Sequence, residues 1–337
     1  MNIEALRTDI PVLFLYNIDP NWPGDVIAES QLMVNAVAQA LANLGHPIQG
    51  VPIENDRLDE RLAPYGPDDY IVFNWCEELP GVPHSESLTA QILERYGFTF
   101  TGGDSRALAI ANDKYHVKSL LDSQRIPTPC WKVYSPFSVD GWDRFPAIVK
   151  PAYEHSSVGI DYRSVVTCKE GLAECVSRVT QTLQQPVLVE EFIDGREFAV
   201  SIIGNGDLHI LPIAEVDFYV ENKYKRIRTH ESKFGGPEQA TWEIKFITST
   251  DLPAGQYENL RSTACQAYRI TQCRDYARLD IRMRDGVFYI LDINHNADIS
   301  AEAGFSLAAQ DVGMSYGQFM SYLVNLAAQR HPVFRVS

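Results

Sequence analysis

The chain has 337 residues, of which 45% are hydrophobic and 22% are charged, and this composition is typical of a globular protein with two or three packed lobes. Its formal net charge of -15 disfavours nucleic acid as a partner, because binding to phosphates requires a basic face. The apolar run at residues 12–16 is far shorter than the ~20 residues of a membrane helix, so we expect no membrane partner and a cytoplasmic location. The six cysteines form no C-x-x-C pair, which indicates neither a zinc site nor a disulfide framework.

The first hundred residues alternate strands and helices. A buried strand at residues 12–16 precedes an amphipathic helix, and a strand at residues 70–74 precedes a second helix and a turn at Gly102-Gly103. The first helix is predicted to end at Gly45, where a left-handed cap costs least. Its predicted core stripe consists of Met33, Val37, Ala40, Leu41 and Leu44. This pattern predicts a Rossmann-like α/β lobe over residues 1–103.

Residues 104–190 predict a second, α+β lobe. A helix is expected to begin at Asp104 and to run past Lys114 to about Leu121, because a proline-rich segment follows it. A strand that ends at Lys150-Pro151 comes next, and a helix and a further strand complete the lobe.

Residues 191–337 predict a third lobe with antiparallel strands. A hairpin is expected over residues 276–294, and a closing helix ends near Arg330. The polar stretch at residues 219–242 is longer than an ordinary connection, so it is either a functional loop or disordered. We interpret it as a lid.

The predicted hairpin carries polar side chains at alternate positions. Arg278 and Asp280 share one face of the first strand, and Asp292 and Asn294 share one face of the second. Two carboxylates and an amide oxygen suit Mg²⁺, which prefers hard oxygen ligands. Arg278 could pair with Asp292 and then meet charge on a transferring phosphoryl group. The alternative is a surface hairpin with solvated charges.

The turn decides whether the two sets of polar side chains meet. A two-residue Asp285-Gly286 turn would place Asp280 across from Leu291 and split the carboxylates onto opposite faces. A three-residue loop pairs Asp280 with Ile290 and keeps the carboxylates on one face. We expect the three-residue loop.

A lysine and a polar loop offer a place for phosphates. Lys150 ends an apolar strand, and Ser156, Ser157 and Gly159 follow in a loop whose hydroxyl and N–H groups can donate to oxyanions, although the alternative is an ordinary turn. Farther on, Glu197 can accept ribose hydroxyls beside a strand edge suited to adenine, the alternative being a charged hairpin.

Over nearly its whole length, the sequence resembles the D-alanine:D-alanine ligase branch of the ATP-grasp superfamily. The order of the motifs carries the resemblance: Asn112-Asp113-Lys114, Val149-Lys150-Pro151, the loop 154–159, the segment 189–197, the segment 230–234 and the hairpin with Arg278. The resemblance implies an α/β (α+β) ATP-grasp fold of three lobes, with ATP bound between the central and C-terminal lobes. It also implies ATP and Mg²⁺ as cofactors, and a homodimer.

The resemblance further implies roles for single residues. The ATP-binding residues would be Lys114, Lys150, Glu154, Ser156, Ser157, Glu190, Glu191, Phe192, Glu197 and Lys233. The metal ligands would be Asp280, Asp292 and Asn294, and the catalytic residues would be Arg278, Lys233 and Lys150.

Two segments depart from the family pattern. Where the family presents a small turn for the second substrate's carboxylate, this chain has residues 295–300, and Asp298 there would repel a carboxylate. The family's histidine and glycine-rich acidic motif is replaced by residues 74–87. Candidate substrate residues are therefore His84, Glu86, Asn296, Asp298 and Ser300, although a histidine before a helix is more often a cap or a solvated group.

The motifs together predict an ATP-dependent carbon–nitrogen ligase acting on small molecules that include an amino acid. It would phosphorylate a carboxylate or carbonyl oxygen and condense it with an amine. The specific expectation is a mycosporine-glycine ligase that uses serine or threonine, which rests on size and an altered substrate pocket. A D-alanyl-type dipeptide ligase is the alternative, and a non-catalytic ATP-binding module is the alternative of another class.

Overall fold

The computed structural model describes residues 6–135, 139–234, 244–248 and 251–335, together with the side chains of these residues except those of 233 and 234. Three β-sheets follow one another along the chain. None of the helices in the described part has the length and apolar character that a membrane crossing requires.

The first sheet is parallel and has the order β2-β1-β3-β4. Its elements are β1 (Val12–Asn17), α1 (Gly24–Leu44), β2 (Ile48–Ile53), α2 (Leu58–Leu62), β3 (Ile71–Trp75), α3 (Glu86–Arg95) and β4 (Thr99–Phe100). Strand β2 is not among the elements predicted from the sequence. α1 ends at Gly45 with φ +110°, as expected, but Met33 is exposed, and Val34 faces the core instead. The stripe prediction was therefore wrong at one position of the helix.

The second sheet is antiparallel and has the order β5-β8-β6-β7. Its elements are α4 (Ser105–Ala111), α5 (Lys114–Ser123), β5 (Trp131–Tyr134), β6 (Ala147–Pro151), β7 (Val165–Val166), α6 (Lys169–Leu183) and β8 (Val187–Glu191). The prediction of a single helix from Asp104 to about Leu121 is wrong, because the helix is interrupted before Lys114. There the Asp113 carboxylate accepts the N–H groups of Tyr115 and His116 and starts a new helix.

The third sheet has the path β12-β11-β9-β13-β14, with β10 beside β9, and all of its pairs are antiparallel. Its strands are β9 (Arg196–Ile203), β10 (His209–Ile210), β11 (Ala214–Phe218), β12 (Ile244–Ile247), β13 (Tyr276–Arg284) and β14 (Val287–Asn294). The helices of this part of the chain are α7 (His230–Phe234), α8 (Ala254–Ile270), α9 (Gly304–Asp311) and α10 (Tyr316–Ala328). The polar stretch 219–242 includes α7, and its end lies outside the described residues.

The C-terminal helix α10 returns to the first sheet and packs against α1. A Cβ on Gly317 would lie 2.8 Å from the carbonyl oxygen of Ala40, so the absence of a side chain permits this close approach. The resulting core combines β1 and β3 with α9 and α10. The two ends of the chain thus stabilise one lobe together.

Candidate active site at the junction of the second and third sheets

A cleft of about 810 Å³, continuous with solvent, lies between the second and third sheets. Ten residues predicted from sequence line the cleft: Lys114, Lys150, Glu154, Ser157, Glu190, Glu191, Phe192, Glu197, Asp280 and Asp292. The walls are β6 and β8 of the second sheet on one side and β9, β13 and β14 of the third sheet on the other, so residues from distant motifs face one space.

Glu190 lies at the centre of one wall, with 1% of its surface exposed. One carboxylate oxygen is 2.5 Å from Lys118 Nζ, and the other forms an ion pair with Lys150. Burial opposes ionisation of Glu190, but the two ammonium groups outweigh it and hold the pKa of the carboxyl below its usual range. Glu190 therefore stays charged and anchors Lys150 beside the cleft.

The sequence reading missed Lys118, which is also buried. Its ammonium donates to Thr128 Oγ1 at 2.7 Å and to the carbonyl oxygens of Ile290 and Leu291 at 3.1 and 3.2 Å. The signal was available, because Lys114 and Lys118 have the i, i+4 spacing that puts side chains on one helix face. Lys118 thus connects Glu190 to strand β14.

The β13–β14 hairpin differs from the predicted register. Arg284 pairs with Val287 across a two-residue Asp285-Gly286 turn, whose φ values of +53° and +77° suit such a connection, so the three-residue loop was wrong. The ladder shifts by one residue between Asp280 and Ile281, and Leu291 becomes the extra residue of a β-bulge.

The bulge returns the polar side chains to one face. Asp280 pairs directly with Asp292, and Arg278 pairs with Asn294. Directly opposed residues have Cβ atoms about 4.5–5.5 Å apart, so the two carboxylates lie side by side. The two carboxylates therefore share a face, as predicted, but the cause is the β-bulge and not a three-residue loop.

Cations surround both carboxylates. Asp280 accepts from Arg278 Nε at 2.9 Å and lies 3.3 Å from Arg228 Nη1. Burial opposes the charge on Asp292, but Lys114 and Lys150 outweigh it and hold the pKa of this carboxyl far below its usual range. Asp292 therefore remains ionised at neutral pH.

These residues fit Mg²⁺. Asn294 Nδ2 donates to the Arg278 carbonyl at 3.4 Å, and its amide supplies an oxygen beside Asp280 and Asp292. Within the described residues, no three His, Cys, Asp or Glu side chains are grouped to hold a metal by themselves. Mg²⁺ commonly takes one or two carboxylates and completes its shell with water and phosphates, so two carboxylates and an amide are sufficient.

The polar loop after β6 has an unusual backbone. Ser156 and Ser157 have φ of +53° and +65°, a left-handed region that costs energy for residues other than glycine. Lys114 Nζ donates to the Glu154 carbonyl at 2.5 Å and ties the loop to α5. Ser157 faces the cleft, whereas Ser156 is exposed and does not line it. Burial and then the charge of Lys114 lower the pKa of His155 to about 4, so this ring is neutral.

Several polar groups in and beside the segment between β8 and β9 already have hydrogen-bond partners within the protein. The N–H groups of Glu191 and Phe192 donate to the carbonyls of Cys130 and Pro146 at 2.8 and 2.9 Å. These two N–H groups therefore have partners within the protein. Glu197, which is 4% exposed, accepts from Arg282 Nε at 2.8 Å through one oxygen.

The predicted substrate residues lie outside the lining of this cleft. Glu86, at the start of α3, accepts from Asn296 Nδ2 at 2.8 Å, and Asn296 Oδ1 accepts from Gly103 N–H at 3.0 Å. Burial, and then the negative charge of Glu77, raises the pKa of Glu86 to about 7 despite the bond from Asn296. The first lobe is thus joined to the strand that carries Asp292.

The other three substrate candidates, His84, Asp298 and Ser300, take no part in the contact between Glu86 and Asn296. His84 is exposed, and its Nε2 lies 3.7 Å from Glu154 Oε1 on the polar loop. Asp298 is exposed and accepts from Ser300 N–H at 2.9 Å. Sequence analysis assigned no role to Glu77, an exposed residue on this side whose carboxylate interacts electrostatically with that of Asp298. The side chain of Lys233 lies outside the described residues.

The chain is similar to known proteins over most of its length. A curated relative from Pseudothermotoga lettingae, a D-alanine--D-alanine ligase, is 25% identical and the match covers 87% of this chain and 92% of the relative. An uncharacterized protein of Sinorhizobium fredii is 30% identical, with 92% and 90% covered. A crystal structure of D-alanine--D-alanine ligase from Bacillus anthracis has a TM-score of 0.74 at 19% identity, with 96% of this chain and 98% of that chain covered, which shows the shared fold.

The fold and the relatives define the class of the protein as an ATP-grasp enzyme, an ATP-dependent ligase of the D-alanine–D-alanine ligase type that uses ATP and Mg²⁺. The sequence model of the D-ala D-ala ligase C-terminus family matches residues 132–325, more than half of the chain. The chain belongs to that family.

Proposed function

We propose that this protein condenses two small substrates of the amino-acid type by a D-alanine–D-alanine ligase-type reaction. One substrate carboxylate takes the γ-phosphoryl group of ATP and becomes an acyl phosphate, and the amine of the second substrate then displaces phosphate to form an amide. The observation that carries the proposal is the pairing of Asp280 with Asp292 on one wall of a cleft whose other wall presents Lys114 and Lys150. Such chemistry needs positioning and charge neutralisation, and no nucleophilic side chain.

The nucleotide would occupy the cleft between the second and third sheets. Lys114, Lys150 and Lys233 would bind its phosphates, with Glu190 holding Lys150 in place. The loop with Glu154, Ser156 and Ser157 would cover the phosphates, and the nucleoside would lie against Glu191, Phe192 and Glu197. The positive groups on the cleft walls support this assignment, because the chain as a whole is strongly acidic.

Asp280, Asp292 and Asn294 would hold the metal. When bound, Mg²⁺ supplies positive charge that offsets the charge of the phosphates during transfer. Arg278 would stabilise negative charge on the tetrahedral intermediate, and its position on the same face of the hairpin, two residues from Asp280, supports this role. Its pairing with Asp280 keeps the guanidinium in a fixed position.

The substrates would bind on the side of Glu86 and Asn296, with His84, Asp298 and Ser300 nearby. Mycosporine-glycine with serine or threonine, the expectation from sequence, has no support among the relatives, which favour a D-alanine-type dipeptide reaction. Asp298 and Glu77 would repel the carboxylate of any second amino acid, so they do not favour serine or threonine over D-alanine.

We also propose that the chain forms three lobes, over residues 1–103, 104–190 and 191–337. We further propose that it is a homodimer and has a cytoplasmic location. Size-exclusion chromatography with light scattering tests the dimer, and a mass of one chain of 37.9 kDa would contradict it.

The deciding experiment measures ADP and phosphate release with Mg-ATP and paired substrates, with the products identified by mass spectrometry. Pairs would include D-alanine with itself, D-alanine with other amino acids, and mycosporine-glycine with serine or threonine. Release that requires two substrates and yields an amide is the expected result. ATP binding without release for any pair would favour the non-catalytic module instead.

A further inference from the structure

Arg228 is a half-buried cation of the cleft to which sequence analysis assigned no role. It lies on the segment between β11 and α7, its side chain is 14% exposed, and it lines the cleft beside Asp280. Its Nη1 atom lies 3.3 Å from Asp280 Oδ1, yet this nitrogen forms no hydrogen bond within the described part of the chain. Arg228 and Asp280 therefore attract each other by charge without a hydrogen bond through Nη1, and this buried donor has no acceptor.

Asp280 is shared between two guanidinium groups that differ in how they are held. Arg278 lies on the same strand and donates through Nε and Nη2 at 2.9 and 3.2 Å. Arg228 comes from outside the strand and makes only the longer contact. Mg²⁺ at Asp280 would repel both guanidinium groups, and Arg228 is the less constrained of the two.

The surroundings of Arg228 favour a position over the phosphates. The guanidinium carbon lies 5.3 Å from the centre of the Phe246 ring, a contact that supports a planar cation without fixing its direction. A guanidinium matches phosphate oxygens with two parallel hydrogen bonds, so the donor left over at Asp280 would gain partners there.

We propose that Arg228 is a further phosphate-binding residue, which neutralises Asp280 in the metal-free protein and turns to the terminal phosphate of ATP when metal binds Asp280. This inference depends on the proposed nucleotide site in the same cleft. It gives Arg228 two opposite effects: Arg228 competes with metal for Asp280 when nucleotide is absent, and it strengthens binding of the triphosphate when metal is present.

The test compares two affinities in Arg228→Met. Mn²⁺ binding without nucleotide, followed by electron paramagnetic resonance, is expected to tighten severalfold, because the competing charge is gone. ATP binding with Mg²⁺, followed by calorimetry, is expected to weaken by about tenfold or more, with a smaller loss for ADP. Arg228→Lys keeps the charge and should lie between the wild type and Arg228→Met in both measurements.

Lys225→Met is the matched control. It removes one positive charge from the same segment, where Lys225 lies over the Tyr162 ring, 5.3 Å from its centre. Both affinities should remain as in the wild type.

If Arg228→Met weakens Mn²⁺ and ATP binding together, Arg228 only maintains the structure, and unchanged affinities would also overturn the inference. Failure of the proposed function is a separate result, because the wild type itself would then not bind ATP.

Discussion

The two ends of the candidate site treat carboxylates in opposite ways. At the nucleotide end, lysines hold the pKa of Asp292 and Glu190 below the usual range despite burial. At the proposed substrate end, burial, together with the charge of Glu77, raises the pKa of Glu86 to about 7. The same kind of side chain is thus held charged at one end and close to neutral at the other.

This difference indicates which ligands each end suits. At the proposed nucleotide end, Lys114, Lys150 and Arg228 line the cleft beside Asp280 and Asp292, an arrangement that suits a polyanion together with a metal. The substrate end presents Glu77 and Asp298 without a comparable set of lysines, which suits an ammonium group better than a carboxylate. Changes at each end should therefore have effects of different kinds.

The largest effect is expected from Asp292→Asn. It keeps the size of the side chain and removes the charge that Lys114 and Lys150 face, so turnover should fall by at least about a hundredfold while the fold persists. Steady-state ADP release and circular dichroism measure the two quantities.

Asp285→Asn makes the same chemical change at the exposed turn of the same hairpin, where asparagine also tolerates φ of +53°. It should behave as the wild type. Near-normal turnover in Asp292→Asn would show that the nucleotide end does not depend on this carboxylate.

Lys118→Met should act on stability as well as on activity. It leaves the Glu190 carboxylate with one cation and removes the donor to Ile290 and Leu291 at the bulge. Loss of one partner from a buried pair costs about 3–5 kcal/mol in the free energy of unfolding, which urea denaturation measures.

Lys169→Met is the control variant, because Lys169 is exposed and contacts Asp140 at 3.2 Å. Its loss should cost less than about 1 kcal/mol. Equal costs for the two variants would mean that the buried lysine does not stabilise the bulge.

The smallest effect is expected from Glu86→Gln, and it should depend on pH. Because the folded protein holds a proton on Glu86 up to about pH 7 and the unfolded chain releases it near the ordinary pKa of 4.5, this group stabilises the fold below pH 4.5. That contribution is lost as the pH rises towards 7 and above. The variant should lose less stability than the wild type between these values, as thermal unfolding at several pH values would show.

Identical pH profiles for Glu86→Gln and the wild type would remove the contrast between the two ends. A steeper decline for the variant would contradict the direction of the pKa shift of Glu86. In either case, the affinity for ATP should be unchanged, because Glu86 does not line the nucleotide cleft.

The sequence by itself determined the parts of the site that depend on local pattern. Alternation along a strand places Asp280 beside Arg278, and the apolar strand that ends at Lys150 directs this lysine to a sheet edge. The helix stop at Gly45 is also local, because only the backbone conformation of that residue decides it. The order of such motifs was sufficient to predict the ATP-grasp fold.

Only the tertiary structure decided how these parts meet. The register of the hairpin depends on a bulge at Leu291, whose carbonyl is bound by Lys118 from a helix more than 170 residues earlier. The position of Arg228 at Asp280 likewise results from packing between distant segments. Alternation and spacing describe a strand or a helix alone, whereas these contacts arise from the burial of charges that must find partners once three sheets are packed together.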